Sequence, residues 1–435
     1  MPLANRFSRL TAEKTAMQRP SDRTGSQALT RRSFAALSML AALSLPGFPM
    51  MARRKAMAQT LHRSSTKPDT VTLFLCGDVM TGRGVDQILP YPGDPRICEP
   101  FVTSAQDYVG LAERANGTIP KPVNFSYIWG DALKEFERVL PDARIINLET
   151  SVTRNDYCEP KGINYRMNPR NIPCLSAAKI DCCALANNHI LDWGTQGLLE
   201  TLETLGKAGI ATAGAGRHRR EAEAPAIIEA AGEARVIVFS FGLGTSGIPR
   251  EWAAGDDKPG VNLLEDVSAQ TLGNIASRVR KVKRTGDIAL ASIHWGGNWG
   301  YEVTRDQREL AHRLIDKASV DVVHGHSSHH PKGIEVYDGK LILYGCGDFI
   351  DDYEGISGYE EYRDDLVLMY FPQIDVSSGK LIQLTMTPLQ IKKFRLNKAS
   401  QEDARWLCNV LTAEGRAFGT RTLLGEDNTL MLLWE

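Results

Sequence analysis

Five apolar, strand-like runs in this 435-residue chain end on side chains that bind hard or borderline metal ions. They are Asp78, Glu149, the pair Asn188-His189, His294 and the cluster His324-Gly325-His326-Ser327-Ser328-His329-His330. Six of the nine histidines occupy these places. Carboxylate oxygen, imidazole nitrogen and amide oxygen are the donors that hold divalent ions. Taken singly, each residue has an ordinary explanation: an Asp after a strand caps a helix or forms a turn, and a lone His is hydrogen-bonded. Taken together they point to a metal centre, with a structural polar cluster as the alternative. Ligands must converge from distant sequence, and the carboxyl ends of strands are where α/β sheets converge them.

The elements that must carry these residues are legible around them. Val71–Cys76, Ala143–Glu149, Ile180–Ala186, Asp287–Ile293 and Val320–Val323 are short continuous apolar runs, the pattern of strands buried on both faces. Helix-period segments separate them: Ala132–Leu140, Gly197–Ala208, Val267–Arg284 and Asp306–Ala318. Alternating strands and helices predict an α/β layered fold. Gly333–Val336, Leu341–Tyr344, Leu366–Phe371 and Leu381–Ile391 read as further strands, expected to form a second, mainly antiparallel sheet. The Pro-, Gly- and Asn-rich stretch from Gly82 to Tyr127 reads as an insertion over one end, and Asn397–Gly415 as a terminal helix.

The front of the chain is different. Residues 1–58 hold ten Lys/Arg against two acidic residues, whereas the remainder holds 41 basic and 50 acidic residues. A body with that net charge of −9 is a poor bulk binder of nucleic acid, whose affinity comes largely from phosphate neutralisation. Thr30-Arg31-Arg32-Ser33-Phe34 precedes an apolar run, and Ala56-Met57-Ala58 follows it as a small-residue cleavage pattern. Paired arginines before Ser-Phe resemble the twin-arginine signal. The expected organisation is an export signal over 1–58, a linker over 59–70, a main domain over 71–395 and a helix-and-strand extension over 396–435. Export predicts a periplasmic or exported protein, membrane-tethered only if the signal is uncleaved. It also opens Cys98, Cys158 and Cys174, in loop-like sequence, to disulfide pairing. Cys76, Cys182, Cys183 and Cys346 sit in apolar runs and read as buried thiols.

The ordered motifs Gly77-Asp78-Val-Met-Thr-Gly-Arg83, Asn147-Leu-Glu149-Thr, Leu185-Ala-Asn-Asn188-His189-Ile-Leu-Asp192-Trp-Gly, His294-Trp-Gly-Gly and Gly333-Ile-Glu-Val-Tyr…Tyr344-Gly-Cys-Gly-Asp348-Phe closely resemble the CapA family of poly-γ-glutamate capsule synthesis proteins. The resemblance spans Val71 to Ile391. The family is similar to the calcineurin-like metallophosphoesterases, which implies a four-layered α/β/β/α sandwich and one or two divalent ions (Mn, Fe, Zn or Mg). It implies Asp78, Glu149, Asn188, His294, His324, His326 and His329 as metal ligands, with His189 as the acid or oxyanion-stabilising residue. His326 and His329 rank ahead of His324, and His330 is the bystander. The sequence departs from the larger class at Met80, where a His is usual, and at Glu149, where an Asp is usual.

The implied chemistry is metal-assisted hydrolysis of a phosphoester. Arg83 and Arg166 are the expected holders of an anionic substrate, Arg83 with a catalytic role, and Asp348 is a candidate partner for a histidine. Trp193, Trp295 and Trp299 are candidates to wall the pocket or to pack in the core. Two classes of function follow: an exported hydrolase acting on an envelope or polymer-linked substrate, or a non-catalytic component that binds or transports an anionic capsule polymer. The expected partners are that anionic small molecule or polymer, a capsule synthesis complex and the twin-arginine export machinery.

Overall fold

A computed structural model describes residues 70–435. The leader, its cleavage position and the linker as far as residue 69 lie outside the described residues. Two sheets pack face to face with helices on both outer surfaces. The first sheet has eleven strands and the second has seven.

Strand alternation builds the layers. In Arg235–Leu243, Val236 and Val238 point into the core between the sheets, whereas Ile237, Phe239 and Phe241 point outward onto the helices Ala269–Val282 and Arg305–Ala318. In Thr70–Phe74, Val71 and Leu73 face the inter-sheet core, and Phe74 joins the core on the opposite side. That outer core is closed by Leu198, Leu202 and Leu205 of the helix Gly194–Lys207 and by Phe136 of Ala132–Val139. Three apolar cores separate four layers, which is the α/β/β/α sandwich. Among the described residues no helix is long and apolar enough to cross a membrane.

The five apolar runs are strands, parallel to one another wherever they pair, and Thr70–Phe74 also takes an antiparallel neighbour in Leu366–Asp375. Thr70–Phe74 and Asp78–Val79 form one interrupted line beside Ala143–Leu148, which pairs in turn with Cys182–Ala184. In the second sheet Arg235–Leu243, Ile288–His294, Val322–His326 and Lys340–Leu343 lie parallel in that order. This corrects the expectation of a mainly antiparallel second sheet. Of the late strands, only Ile334–Tyr337 and Lys340–Leu343 join it, whereas Leu366–Asp375 and Leu381–Ile391 pair antiparallel with each other on the first sheet. The terminal helix is Gln401–Gly415, followed by the hairpin Thr420–Leu424 and Leu430–Trp434 on the first sheet. The insertion is partly helical, with Arg83–Ile88 and Ala105–Asn116.

Cys98 and Cys158 are joined in a disulfide that bridges 60 residues of chain. Cys174, the third loop candidate, is instead a buried free thiol in the short helix Pro173–Ala177, and Cys76, Cys182, Cys183 and Cys346 are buried thiols too.

Candidate metal centre

Sheet register sets the site. In the first sheet Asp78 lies abreast of Asn147 on one side and Asp348 on the other. In the second, Gly242, His294 and His326 lie abreast. The two rows face each other at the carboxyl ends of their strands, with His326 Nδ1 3.8 Å and His294 Nδ1 4.0 Å from Asp78 Oδ1.

A chain of hydrogen bonds fixes the imidazole protons. His324 Nε2 lies 2.7 Å from the Cys76 carbonyl, which can only accept, so this nitrogen carries the proton. His324 Nδ1 then accepts from the Ser292 hydroxyl at 3.1 Å, and Ser292 Oγ accepts from His326 Nε2 at 2.9 Å. His326 Nδ1 is left bare, 2.8 Å from His294 Nδ1. His294 Nε2 in turn lies 3.0 Å from Asn188 Oδ1. A neutral His294 has one proton for these two contacts, so with the amide oxygen facing it one contact sets lone pair against lone pair. A shared cation relieves that conflict.

Distances agree with this reading. The triangle of Asp78 Oδ1, His294 Nδ1 and His326 Nδ1 has sides of 4.0, 3.8 and 2.8 Å. Its circumradius is about 2.1 Å, inside the roughly 2.0–2.2 Å at which imidazole and carboxylate ligands hold a transition ion. A second group, Asp78, His329 and Asp348, shares Asp78 with the first. His329 Nδ1 lies 2.9 Å from Asp348 Oδ1, and its Nε2 meets the Asn298 amide at 2.8 Å.

Electrostatics point the same way. Burial, and then the charge of Asp348, raises the Asp78 carboxyl to about 7. Burial and the Asp78 charge hold Glu149 well above the usual carboxylate range, and one of its oxygens, Oε2, is buried without a partner. Burial pushes His294 and His326 well below the ordinary imidazole value, leaving them neutral, the form that ligates. Clustered buried carboxylates beside neutral imidazoles are short of positive charge, and a divalent ion fits that deficit.

Residues 72–353 match the family described as bacterial capsule synthesis protein PGA_cap. The chain belongs to this family. It is 49% identical over 365 residues to a probable polyglutamine synthesis accessory protein of Mycobacterium tuberculosis, covering 83% of this chain and 96% of that one. It is 26% identical over 316 residues to the PGA biosynthesis protein CapA of Bacillus subtilis, covering 72% and 70%. A crystal structure described as a novel phosphatase from Mycoplasma pneumoniae aligns at 11% identity with a TM-score of 0.41, covering 76% of this chain and 95% of that one.

In this PGA_cap chain, Asp78, Glu149, Asn188, His189, His294 and His326 converge, and His329 joins through Asp78 and Asp348. Glu149 Oε1 lies 3.6 Å from His294 Nε2 and 3.9 Å from His189 Nε2. His189 Nδ1 is 2.6 Å from Asp192 Oδ2, and Tyr165 stacks on its ring at 3.9 Å. His324 stands one step behind the cluster, with both nitrogens engaged as described. His330 packs against Tyr362 and Tyr301. Met80 is buried, its backbone N–H bonded to Ile350.

The two arginines do not offer the donors expected of them. Arg83 is buried, with Nε and Nη2 on Asp352, Nη1 on Glu99 and its guanidinium over the Tyr108 ring. Arg166 stacks on Trp193 and is spent on the carbonyls of Asn155 and Asp94 and on Asp156. Trp193 and Trp295 are core residues, and Trp299 lies at the rim beside His329 and Tyr359. Sequence reasoning passed over Ser292 and Lys161. Ser292 was visible only as a polar break in an apolar strand, and Lys161 lies in a loop with no periodicity to mark it.

Proposed function

We propose that this protein is an exported, divalent-metal-dependent hydrolase of the phosphoesterase type, acting on an envelope or polymer-linked anionic substrate in capsule or polyglutamate synthesis. The observation that carries the hydrolase reading is the Asp78–His294–His326 triangle, dimensioned for an ion and lined by a buried carboxylate and two neutral imidazoles that carry no positive charge of their own. The pathway assignment is supported by the names of the relatives, an accessory protein of polyglutamine synthesis and a PGA biosynthesis protein.

A bound divalent cation supplies a water of lowered pKa and polarises a phosphoryl oxygen. The chain does the rest. Asn147 donates to Asp78 Oδ1 at 2.7 Å and the Ser327 N–H to Oδ2 at 3.0 Å, fixing the carboxylate plane. Asp192 holds the His189 proton on Nδ1, and burial lowers this ring to about 4. Its bare Nε2 then faces Glu149 and is set to accept a proton from a water, rather than to donate one as an acid. Tyr165 shields the ring face from solvent.

The test is elemental analysis of the mature protein with a screen of phosphomonoesters and phosphodiesters. Asp78→Asn should lose metal and turnover together, whereas His189→Asn should keep metal and lose roughly 10²-fold or more in turnover. A metal-free protein without esterase activity would hand the assignment to polymer binding. Export is supported by Arg31-Arg32 and by the Cys98–Cys158 disulfide, which suits an oxidising compartment. Replacing both arginines with Lys should strand the precursor in the cytoplasm, and normal export of that variant would count against the twin-arginine route.

A further inference from the structure

With both arginines committed elsewhere, the cation nearest the cluster is Lys161. The backbone N–H of Glu159 bonds to the Asp192 carbonyl, and the Lys161 N–H bonds to the Glu159 carbonyl, so this loop is wrapped around Asp192. The disulfide at Cys158 pins the loop from behind. Lys161 Nζ donates to the Asn188 carbonyl and, at 2.7 Å, to Asp192 Oδ1. It also lies 3.3 Å from His189 Nδ1. That last contact is not a hydrogen bond, because Nδ1 already carries the proton shared with Asp192 Oδ2 and has no lone pair to offer. An ammonium has three N–H donors, so one is left without a hydrogen-bond acceptor, with the Trp252 ring centroid 5.3 Å from Nζ.

The contrast with the arginines is plain. The Arg83 side chain is 2% exposed, with Nε, Nη1 and Nη2 all engaged on carboxylates, whereas the Lys161 side chain is 22% exposed. Its charge also acts on the centre, opposing the upward push that burial and Asp78 give Glu149 and adding to the burial and neighbouring histidines that depress His294. A group at that position is close to the metal ligands without being one of them. We propose that Lys161 is the substrate-binding cation of this site, giving its third N–H to a phosphoryl oxygen of the substrate. The proposal rests on the hydrolase reading for its choice of substrate class, and on the hydrogen-bond count for the residue. A charge-assisted bond of this kind, once lost, weakens binding by roughly 10-fold or more.

The experiment is calorimetric titration of inorganic phosphate into the full mature protein, with metal content measured on the same samples. Lys161→Met should weaken phosphate binding at least tenfold, flatten its dependence on salt concentration, and leave metal content unchanged. Lys161→Arg should restore most of the affinity. Phosphate affinity in Lys161→Met equal to wild type would overturn the proposal, as would a wild type that binds no phosphate. Joint loss of metal and phosphate in Lys161→Met, not recovered by Arg, would also overturn it by making Lys161 a prop for Asn188. Lys161-dependent phosphate binding without ester turnover would instead refute the hydrolase reading and leave this one standing.

Discussion

Replacing Ser292 with Ala removes a hydroxyl that touches neither substrate nor ion, yet the hydrogen-bond chain makes it decide which nitrogen of His326 is bare. Ser292, His324 and His326 are all fully buried, and the hydroxyl lies 3.1 Å from one ring and 2.9 Å from the other. Its removal leaves His324 Nδ1 and His326 Nε2 without partners, at about 1–3 kcal/mol for each orphaned group. The first penalty falls equally on metal-free and metal-loaded protein. The second does not, because His326 can escape it by moving its proton to Nδ1, the atom that faces Asp78. Metal affinity should therefore fall by roughly 10–100-fold, the usual effect of losing a group that orients a ligand, or about 1.4–2.7 kcal/mol. Competition against a chelator gives the affinity, and urea unfolding in excess chelator gives the metal-independent loss. An unchanged metal affinity, with stability lowered, would refute the assignment of Nδ1 as the ligand atom.

Arg83→Met should destabilise the fold by about 3–5 kcal/mol in urea unfolding, since it strands Asp352 and Glu99 as buried, unpaired carboxylates; unchanged stability with lost activity would return Arg83 to the substrate site. Replacing Cys98 and Cys158 together with Ser should cost about 2–4 kcal/mol, from the chain entropy of the 60-residue loop it closes, and comparing wild type with and without reductant should give the same difference. Metal at one hundred times its dissociation constant should raise the unfolding free energy by about 2.7 kcal/mol for one site, and chelator should remove that gain in a thermal melt.

The strands that carry ligands were legible because strands buried on both faces are continuous apolar runs, and because a polar residue at the end of such a run is conspicuous. A chemistry-led reading passed over Arg235–Leu243, which is equally apolar but ends on glycine and leucine rather than a ligand. Sheet membership was not legible. Leu366–Asp375 has the burial of a central strand in either sheet, and only its pairing with Thr70–Thr72 assigns it to the first. The histidine register was also hidden: His324 and His326, two apart on one strand, share a face, and what separates them is whether Cys76 or Asp78 lies opposite. The fate of Arg83 depends on Asp352, 269 residues away. Spacing carries no information about such a partner, so an arginine beside a ligand looks available until the fold is known.

Stacked sheets pack about 10 Å apart, yet ligand atoms of the two sheets must meet across a distance fit for one ion. Within each sheet, glycine lets neighbouring backbone close in beside the residues that carry the ligands. A Cβ at Gly77 would lie 1.8 Å from the Gly347 carbonyl oxygen, and one at Gly325, between His324 and His326, would lie 2.6 Å from the carbonyls of Leu343 and Tyr344. These contacts are with backbone, which cannot rotate away, so a methyl group must push the chains apart. Gly77 lies in the break between Thr70–Phe74 and Asp78–Val79, and a displacement there moves Asp78 directly. Gly77→Ala should therefore cost at least the upper part of the about 1–3 kcal/mol range for overpacking, and should lower metal affinity more than Ser292→Ala does. Urea unfolding and chelator competition measure the two effects separately. A Gly77→Ala protein with wild-type metal affinity would show that the approach of Asp78 to His294 and His326 is set elsewhere in the sheets.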